Sequence, residues 1–200
     1  MPRVNDTEHD TPPARPRWRK IARRAGLVVL VPVLALGSYL GVLQLDGNIH
    51  TVQAGQVYRS AQLDSAQFVR VIGEDGIKSI LNLRGAPQHA AGWYDTEVRV
   101  ASRLGVAHYD YGISAERLVT PEQIAAILAI LRTAPRPILV HCQGGADRSG
   151  LVAALYDAVI AGESPDQAAK QLSLRYGHFP YLGSKTSAMD RSYWAYVSRK

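Results

Sequence analysis

A single cysteine, Cys142, stands in a chain of 200 residues. No intramolecular disulfide can form, and no metal site built from several thiolates can exist. Internal repeats and low-complexity tracts are absent as well. With 46% hydrophobic and 20% charged residues the chain has ordinary globular composition, which excludes wholesale disorder. Acidic residues are the scarcer charge, 17 against 23 basic ones, for a net of +6. A basic surplus can point to nucleic acid, but this one is not spread over the chain. Residues 1–45 hold seven Lys or Arg against three acids, which leaves the rest of the chain at only about +2. The basicity belongs to a tail, and nucleic acid is not expected as a partner.

Charge is missing altogether from Gly26 to Leu45. Such a run, about 20 residues at helical rise, just spans a hydrocarbon core of roughly 30 Å, and Pro32 is tolerated in a membrane helix. A buried core helix would show a polar face, and this run has none. A cleavable signal peptide shares the basic leader and apolar core, but no clean small-x-small site follows and the run is long for a signal core. An uncleaved anchor is therefore expected. The basic cluster Arg15–Arg24 precedes it, whereas Asp46 and His50 follow. By the positive-inside rule the N-terminus is cytoplasmic and the folded domain lies across the membrane, in the periplasm if the source is bacterial. The expected organisation is a disordered basic leader over 1–25, a membrane anchor over 26–45, and one folded domain over 46–200.

From Ile49 onward short apolar runs alternate with amphipathic stretches. Strands are predicted at 57–60, 77–83, 106–113 and 138–140. Asp64 or Ser65 caps a helix that closes at Gly73 or Gly76, and Trp93–Leu104 reads as a helix ended by Gly105. Thr120-Pro121-Glu122-Gln123 supplies an N-cap, a proline at N1 and a capping-box glutamine for a helix to about Thr133. Further helices are expected over 149–161, stopped by Gly162, after the similar cap Ser164-Pro165-Asp166-Gln167, and over 189–197. Strands interleaved with helices predict an α/β domain with a mainly parallel central sheet flanked by helices.

The segment Ile138-Leu-Val-His-Cys-Gln-Gly-Gly-Ala-Asp-Arg-Ser-Gly150 lies between a strand and a helix. Open α/β sheets bind ligands at that carboxyl end. A phosphate dianion needs several converging backbone N–H groups, and a tight loop running into a helix N-terminus provides them. Gly144 and Gly145 let the loop adopt angles that a side chain forbids. The planar fork of Arg148 can hold two phosphate oxygens. The same donors favour an ionised Cys142, which can attack phosphorus in line and leave a phosphocysteine for water to hydrolyse. Ser149 is placed to donate to the sulfur as it departs, and His141 to support the loop. The expected phosphate-binding loop is Gln143, Gly144, Gly145, Ala146, Asp147 and Arg148. No cofactor and no metal are called for.

His141-Cys142-Gln-Gly-Gly-Ala-Asp-Arg148-Ser149 resembles the His-Cys-x5-Arg-Ser/Thr signature of the protein tyrosine and dual-specificity phosphatase superfamily. Val57-Tyr-Arg-Ser-Ala-Gln62 is similar to an opening shared by its bacterial dual-specificity-like members, as is the stretch from Gly76-Ile77 to Asn82-Leu83-Arg84. The resemblance covers roughly residues 50–198. It implies a tyrosine-phosphatase-like fold and a cysteine-dependent phosphatase. The substrate would be a phosphoprotein, with phosphotyrosine the default, or a phospholipid or other envelope phosphate within reach of the membrane. Asp147 is similar to a loop acid of relatives that accept phosphoinositides; a purely structural role is the alternative. The family's general acid is an aspartate on the loop after the strand ending near Asp110. Ala115 stands where it would fall, which leaves Asp110 or Glu116 as the candidate.

Two other classes compete. The missing acid suits a catalytically weak, membrane-anchored phosphate-binding module. Rhodanese-like sulfur transfer also uses a cysteine in a strand-to-helix loop, but without this combination of residues. A merely buried core cysteine leaves the paired glycines and Arg148 unexplained.

Overall fold

The computed structural model describes residues 17–199, with side chains from Gly26 onward except at position 29. The described chain divides between Tyr39 and Leu40 into two compact units. The first is helical. Helix α1 spans Arg17–Leu45, and its stretch Gly26–Leu45, with mean hydropathy 2.3, is long and apolar enough to cross a membrane. The basic residues 17–24, expected in a disordered leader, are part of this helix; most of the leader, residues 1–16, lies outside the described residues.

The second unit contains a five-stranded sheet of β1 (His50–Gln53), β2 (Val57–Ser60), β3 (Ser79–Asn82), β4 (Ala107–Asp110) and β5 (Ile138–His141). Its order is β1-β2-β5-β3-β4. Only the β1–β2 pair is antiparallel, and every other neighbour is parallel. The mainly parallel α/β sheet read from the sequence is therefore present. Edge strand β1 was not anticipated: His50-Thr-Val-Gln53 is half polar, and it pairs with β2 through an irregular register.

Alternation along β5 shows how the sheet is covered. Ile138 and Val140 face one core with Leu81, Leu151 and Leu155, whereas Leu139 faces the other with Tyr58, Phe68, Ile80 and Val100. The first core is closed by α4 (Pro121–Thr133), α5 (Asp147–Tyr156) and α7 (Ser187–Val197), the second by α2 (Ser65–Glu74) and α3 (Gly92–Arg103). A parallel strand buried on both faces needs apolar residues at every position, and Ile138-Leu-Val140 meets that demand.

The caps follow the sequence. Asp64 and Gln67 exchange hydrogen bonds of 2.8 and 3.0 Å at the start of α2, and Thr120 and Gln123 do the same at 3.3 and 3.0 Å before α4. Helix α5 starts at Asp147, two residues earlier than predicted, and its end widens into a π-turn over Asp157–Ala161 before Gly162 at φ +80°. After Ser164 only one helical turn forms, α6 (Pro165–Ala168). Ser164 caps Gln167 N, but the side-chain Oε1 of Gln167 accepts from Lys170 Nζ at 2.6 Å instead of reaching back.

Candidate active site

The end of β5 and the start of α5 are joined by residues 142–146, and the carbonyls of 143–146 each accept a hydrogen bond from outside this connection. Gln143 O accepts from Gln62 N at 3.1 Å. Gly144 O accepts from Gln44 Nε2 at 3.0 Å and Asn48 Nδ2 at 2.9 Å. The carbonyls of Gly145 and Ala146 both accept from Arg59 Nη2 at 2.9 Å. When successive carbonyls point away from a turn, its amides converge on the other side. Among the described residues the amides of 143–146 meet no acceptor. This is an anion nest leading into a helix N-terminus, with the positive end of the α5 dipole behind it.

Gly145 makes the turn feasible. Its φ is +70°, and a Cβ there would lie 2.6 Å from Ala61 N and 2.8 Å from Ser60 C. No side chain fits, on backbone angle or on space. Gly144 has an ordinary angle, and a Cβ there would make only an ordinary contact with Gln44 Nε2 at 3.7 Å, so the second glycine of the pair is the one the geometry requires.

Cys142 sits on the floor of this nest, 2% exposed, with Sγ 3.5 Å from Ser149 Oγ. Arg148 comes from the first turn of α5. Its Nη1 donates to Leu83 O at 3.2 Å and Ile113 O at 3.3 Å, and its Nε is buried with no partner. One edge of the guanidinium is thus fixed to the extensions of β3 and β4, while a donor on the chain side is left without an acceptor. A buried orphan donor costs free energy, of order 1–3 kcal/mol, unless a ligand satisfies it. Cys142 and Ser149 are thus in contact, and Arg148 precedes Ser149 on the first turn of the same helix.

Several supporting residues had no role assigned from sequence. Arg59 is completely buried behind the loop, donates to Gln171 O at 2.7 Å, and lies 4.2 Å over the Tyr176 ring. Burial pulls its pKa down to about 10, against the opposing pull of Cys142, Tyr176, Asp147 and Asp157; it remains cationic at neutral pH. Its signal was an arginine inside an otherwise buried strand, in the Tyr58-Arg59-Ser60 triplet. On the opposite face, His141 Nε2 meets Glu97 Oε1 at 2.8 Å, His108 Nε2 meets the same oxygen at 2.7 Å, and Gln62 Nε2 donates to Oε2 at 2.8 Å. Burial pushes the Glu97 pKa up, but the hydrogen bonds from His108, His141 and Gln62 outweigh it and hold the carboxyl at about 2. Glu97 gave no sequence signal, being one acid among others on an amphipathic helix.

Asp147 points to the rear. Its Oδ1 is 2.6 Å from His178 Nδ1, and His178 Nε2 is 2.9 Å from Asp190 Oδ2. The imidazole is fully buried between two carboxylates. Burial pulls its pKa down, yet the bonds to Asp147 and Asp190 prevail and raise it. Asp147 is thereby tied to α7 through His178.

The two general-acid candidates are placed differently. Asp110 ends β4, accepting at Oδ1 from Asn82 Nδ2 at 2.8 Å and at Oδ2 from Tyr94 Oη at 2.6 Å. That hydrogen bond, more than burial, pushes the Tyr94 phenol up to about 12. Glu116 is exposed, 3.5 Å from Lys185 Nζ in a surface ion pair.

The profile of the tyrosine phosphatase family matches residues 40–171, well over half of the chain, and the protein belongs to that family. No curated protein matches it. Solved structures share its fold. TpbA of P. aeruginosa is 22% identical with a TM-score of 0.54 over 76% of this chain and 84% of its own. The core catalytic domain of the PP-IP phosphatase Siw14 of S. cerevisiae, solved with citrate, is 20% identical with a TM-score of 0.58 over 76% and 89%. Tk-PTP in its active form is 17% identical with a TM-score of 0.55 over 73% and 96%. The protein is a phosphatase of the tyrosine-phosphatase type.

Proposed function

We propose that the chain hydrolyses phosphomonoesters through a phosphocysteine on Cys142. The observation that carries this reading is that the amides of 143–146 and Nε of Arg148 are unpartnered donors on the turn that follows the single thiol. In the first step the Cys142 thiolate attacks phosphorus, the bond to the ester oxygen breaks, and that oxygen leaves as an alcohol after taking a proton. In the second, water attacks the phosphorus, the S–P bond breaks, and inorganic phosphate and the thiolate are regenerated. Loop amides and Arg148 hold the three equatorial oxygens through both steps, where charge spreads onto them. Ser149 donates to Sγ as it becomes the leaving group. His141 is a positioning residue, fixed by Glu97.

The substrate is read as phosphotyrosine or a lipid or envelope phosphate. TpbA has been solved in complex with pTyr, which supports the first. Residues 26–45 are read as a membrane anchor with the N-terminus cytoplasmic and the catalytic domain on the far side, which supports the second. The test is hydrolysis of p-nitrophenyl phosphate by the full chain with chelator present. The Cys142→Ser protein should fall to background; equal rates for the two would refute the proposal.

A second reading, a weak phosphate-binding module, is favoured by one observation. Asp110 has both oxygens engaged, and Glu116 sits on the surface. Such a module would bind inorganic phosphate yet release no product from any aryl phosphate.

A further inference from the structure

Besides Arg59, whose Nη2 is spent on two carbonyls of the loop, two guanidiniums stand beside the catalytic loop, and among the described residues neither forms an ion pair with a carboxylate. Arg148 uses Nη1 on two carbonyl oxygens. The other is Arg84, just after β3. Leu83 N donates to His141 O at 2.9 Å. That bond sets the Leu83–Arg84 peptide one strand spacing, about 5 Å, from the start of the loop.

Arg84 is held rather than free to swing. Its N donates to Asn82 Oδ1 at 2.9 Å, its Nη1 to Gln62 Oε1 at 2.9 Å, and its guanidinium lies 3.5 Å over the Trp93 ring. Gln62 in turn is fixed by Glu97 at one end and by Gln143 of the loop at the other. The remaining nitrogens of Arg84, Nε and Nη2, have no hydrogen bond among the described residues. Gln62 and Trp93 also line a cleft of about 440 Å³. Burial and the neighbouring Arg148 both pull the Arg84 pKa down, the mark of two like charges kept close.

One phosphate is already matched by the loop amides and Arg148. A second cation, ordered in advance by stacking and placed against the first at an electrostatic cost, has no role for that phosphate. An ordered guanidinium binds an anion with little further loss of entropy. We propose that Arg84, held by Trp93 and Gln62, forms a second anion subsite, and that the preferred substrate is a phosphomonoester whose scaffold carries a second phosphate or carboxylate. This rests on the phosphomonoesterase reading above.

The test is equilibrium binding of inorganic phosphate and inorganic pyrophosphate to the full-length Cys142→Ser chain. Pyrophosphate should bind about tenfold tighter or more, the worth of one charge-assisted contact. Adding Arg84→Met should remove that preference and Arg84→Lys restore part of it, whereas the exposed control Lys170→Met should leave it intact. A preference unchanged in Arg84→Met, or no preference at all, overturns the subsite while leaving the phosphatase reading standing; failure to bind either anion sinks both. Turnover of a bisphosphorylated inositol headgroup, free or as its lipid in phosphatidylcholine vesicles, identifies the source. Arg84→Met should lower the rate ratio of bisphosphate to monophosphate in whichever arm is faster. An unchanged ratio in that arm counts against the subsite.

Discussion

From Gln143 to Ala146 every carbonyl is tied outward, by Gln62, Gln44, Asn48 or Arg59, and Gly145 occupies an angle and a space no other residue could take. From Asp110 to Leu118 the chain is mostly exposed or half-buried, and its carboxylates are engaged by Asn82, Tyr94 and Lys185. One side of the mouth is held by a set of hydrogen bonds; on the other, each carboxylate already has a partner. On the proposed mechanism, the difference teaches that the phosphate-holding side is ordered in advance, while no carboxylate is left free to protonate the leaving group. An enzyme of this build should favour esters whose alcohol leaves easily.

Breaking the organised side should cost most. Arg148→Lys retains charge but loses the planar fork, so kcat/KM on p-nitrophenyl phosphate should drop by about 10²–10³, the usual effect of removing a preorganised transition-state donor. Gly145→Ala comes next. The added Cβ must displace the Ser60–Ala61 backbone, so the loop opens; activity should fall at least tenfold and stability by roughly 1–3 kcal/mol, read by steady-state kinetics and urea melts.

Glu97→Ala tests the support beneath the loop. It leaves His141 and His108 without their buried acceptor, a loss of about 3–5 kcal/mol in denaturant unfolding. The same carboxyl predicts a pH window. Its folded pKa, about 2, lies below the ordinary 4.5, so its contribution to stability is present above pH 4.5 and is lost as pH falls toward 2. The variant should lack that part of the acid destabilisation. A wild-type and Glu97→Ala pair with parallel stability profiles across this range would remove Glu97 from the account.

The smallest effects belong to the other side. Asp110→Asn and Glu116→Gln should each lower turnover of p-nitrophenyl phosphate less than tenfold, whereas a true general acid contributes about 10²–10⁴. A hundredfold loss in either variant would identify the acid and erase the contrast between the two sides.

Much of this arrangement was legible in the sequence because it is local. The apolar triplet Ile138-Leu-Val140, the glycines, Cys142 and Arg148 follow one another within a dozen residues, and strand, loop and helix are dictated there by patterning and backbone angle. The supports were not legible because they are distant. Arg59 reaches the loop across 86 residues, Glu97 reaches His141 across 44, and His178 reaches Asp147 across 31. Buried charge of this kind follows from where strands and helices dock, which a linear pattern does not record. Helix α6 was over-read for a related reason: the cap Ser164-Pro165 nucleates a turn, but one α-turn is all that forms before the chain tightens into a 3-10 turn at Ala169–Gln171, which carries Gln171 to Arg59.

The most direct measurement is rapid acid quench of the full chain during turnover of an aryl phosphate, followed by peptide mass spectrometry. The account predicts a phosphoryl group on Cys142 that forms and decays at rates compatible with turnover and is absent from Cys142→Ser. Turnover with Cys142 unmodified at every quench time, or with phosphate on another residue, would contradict it.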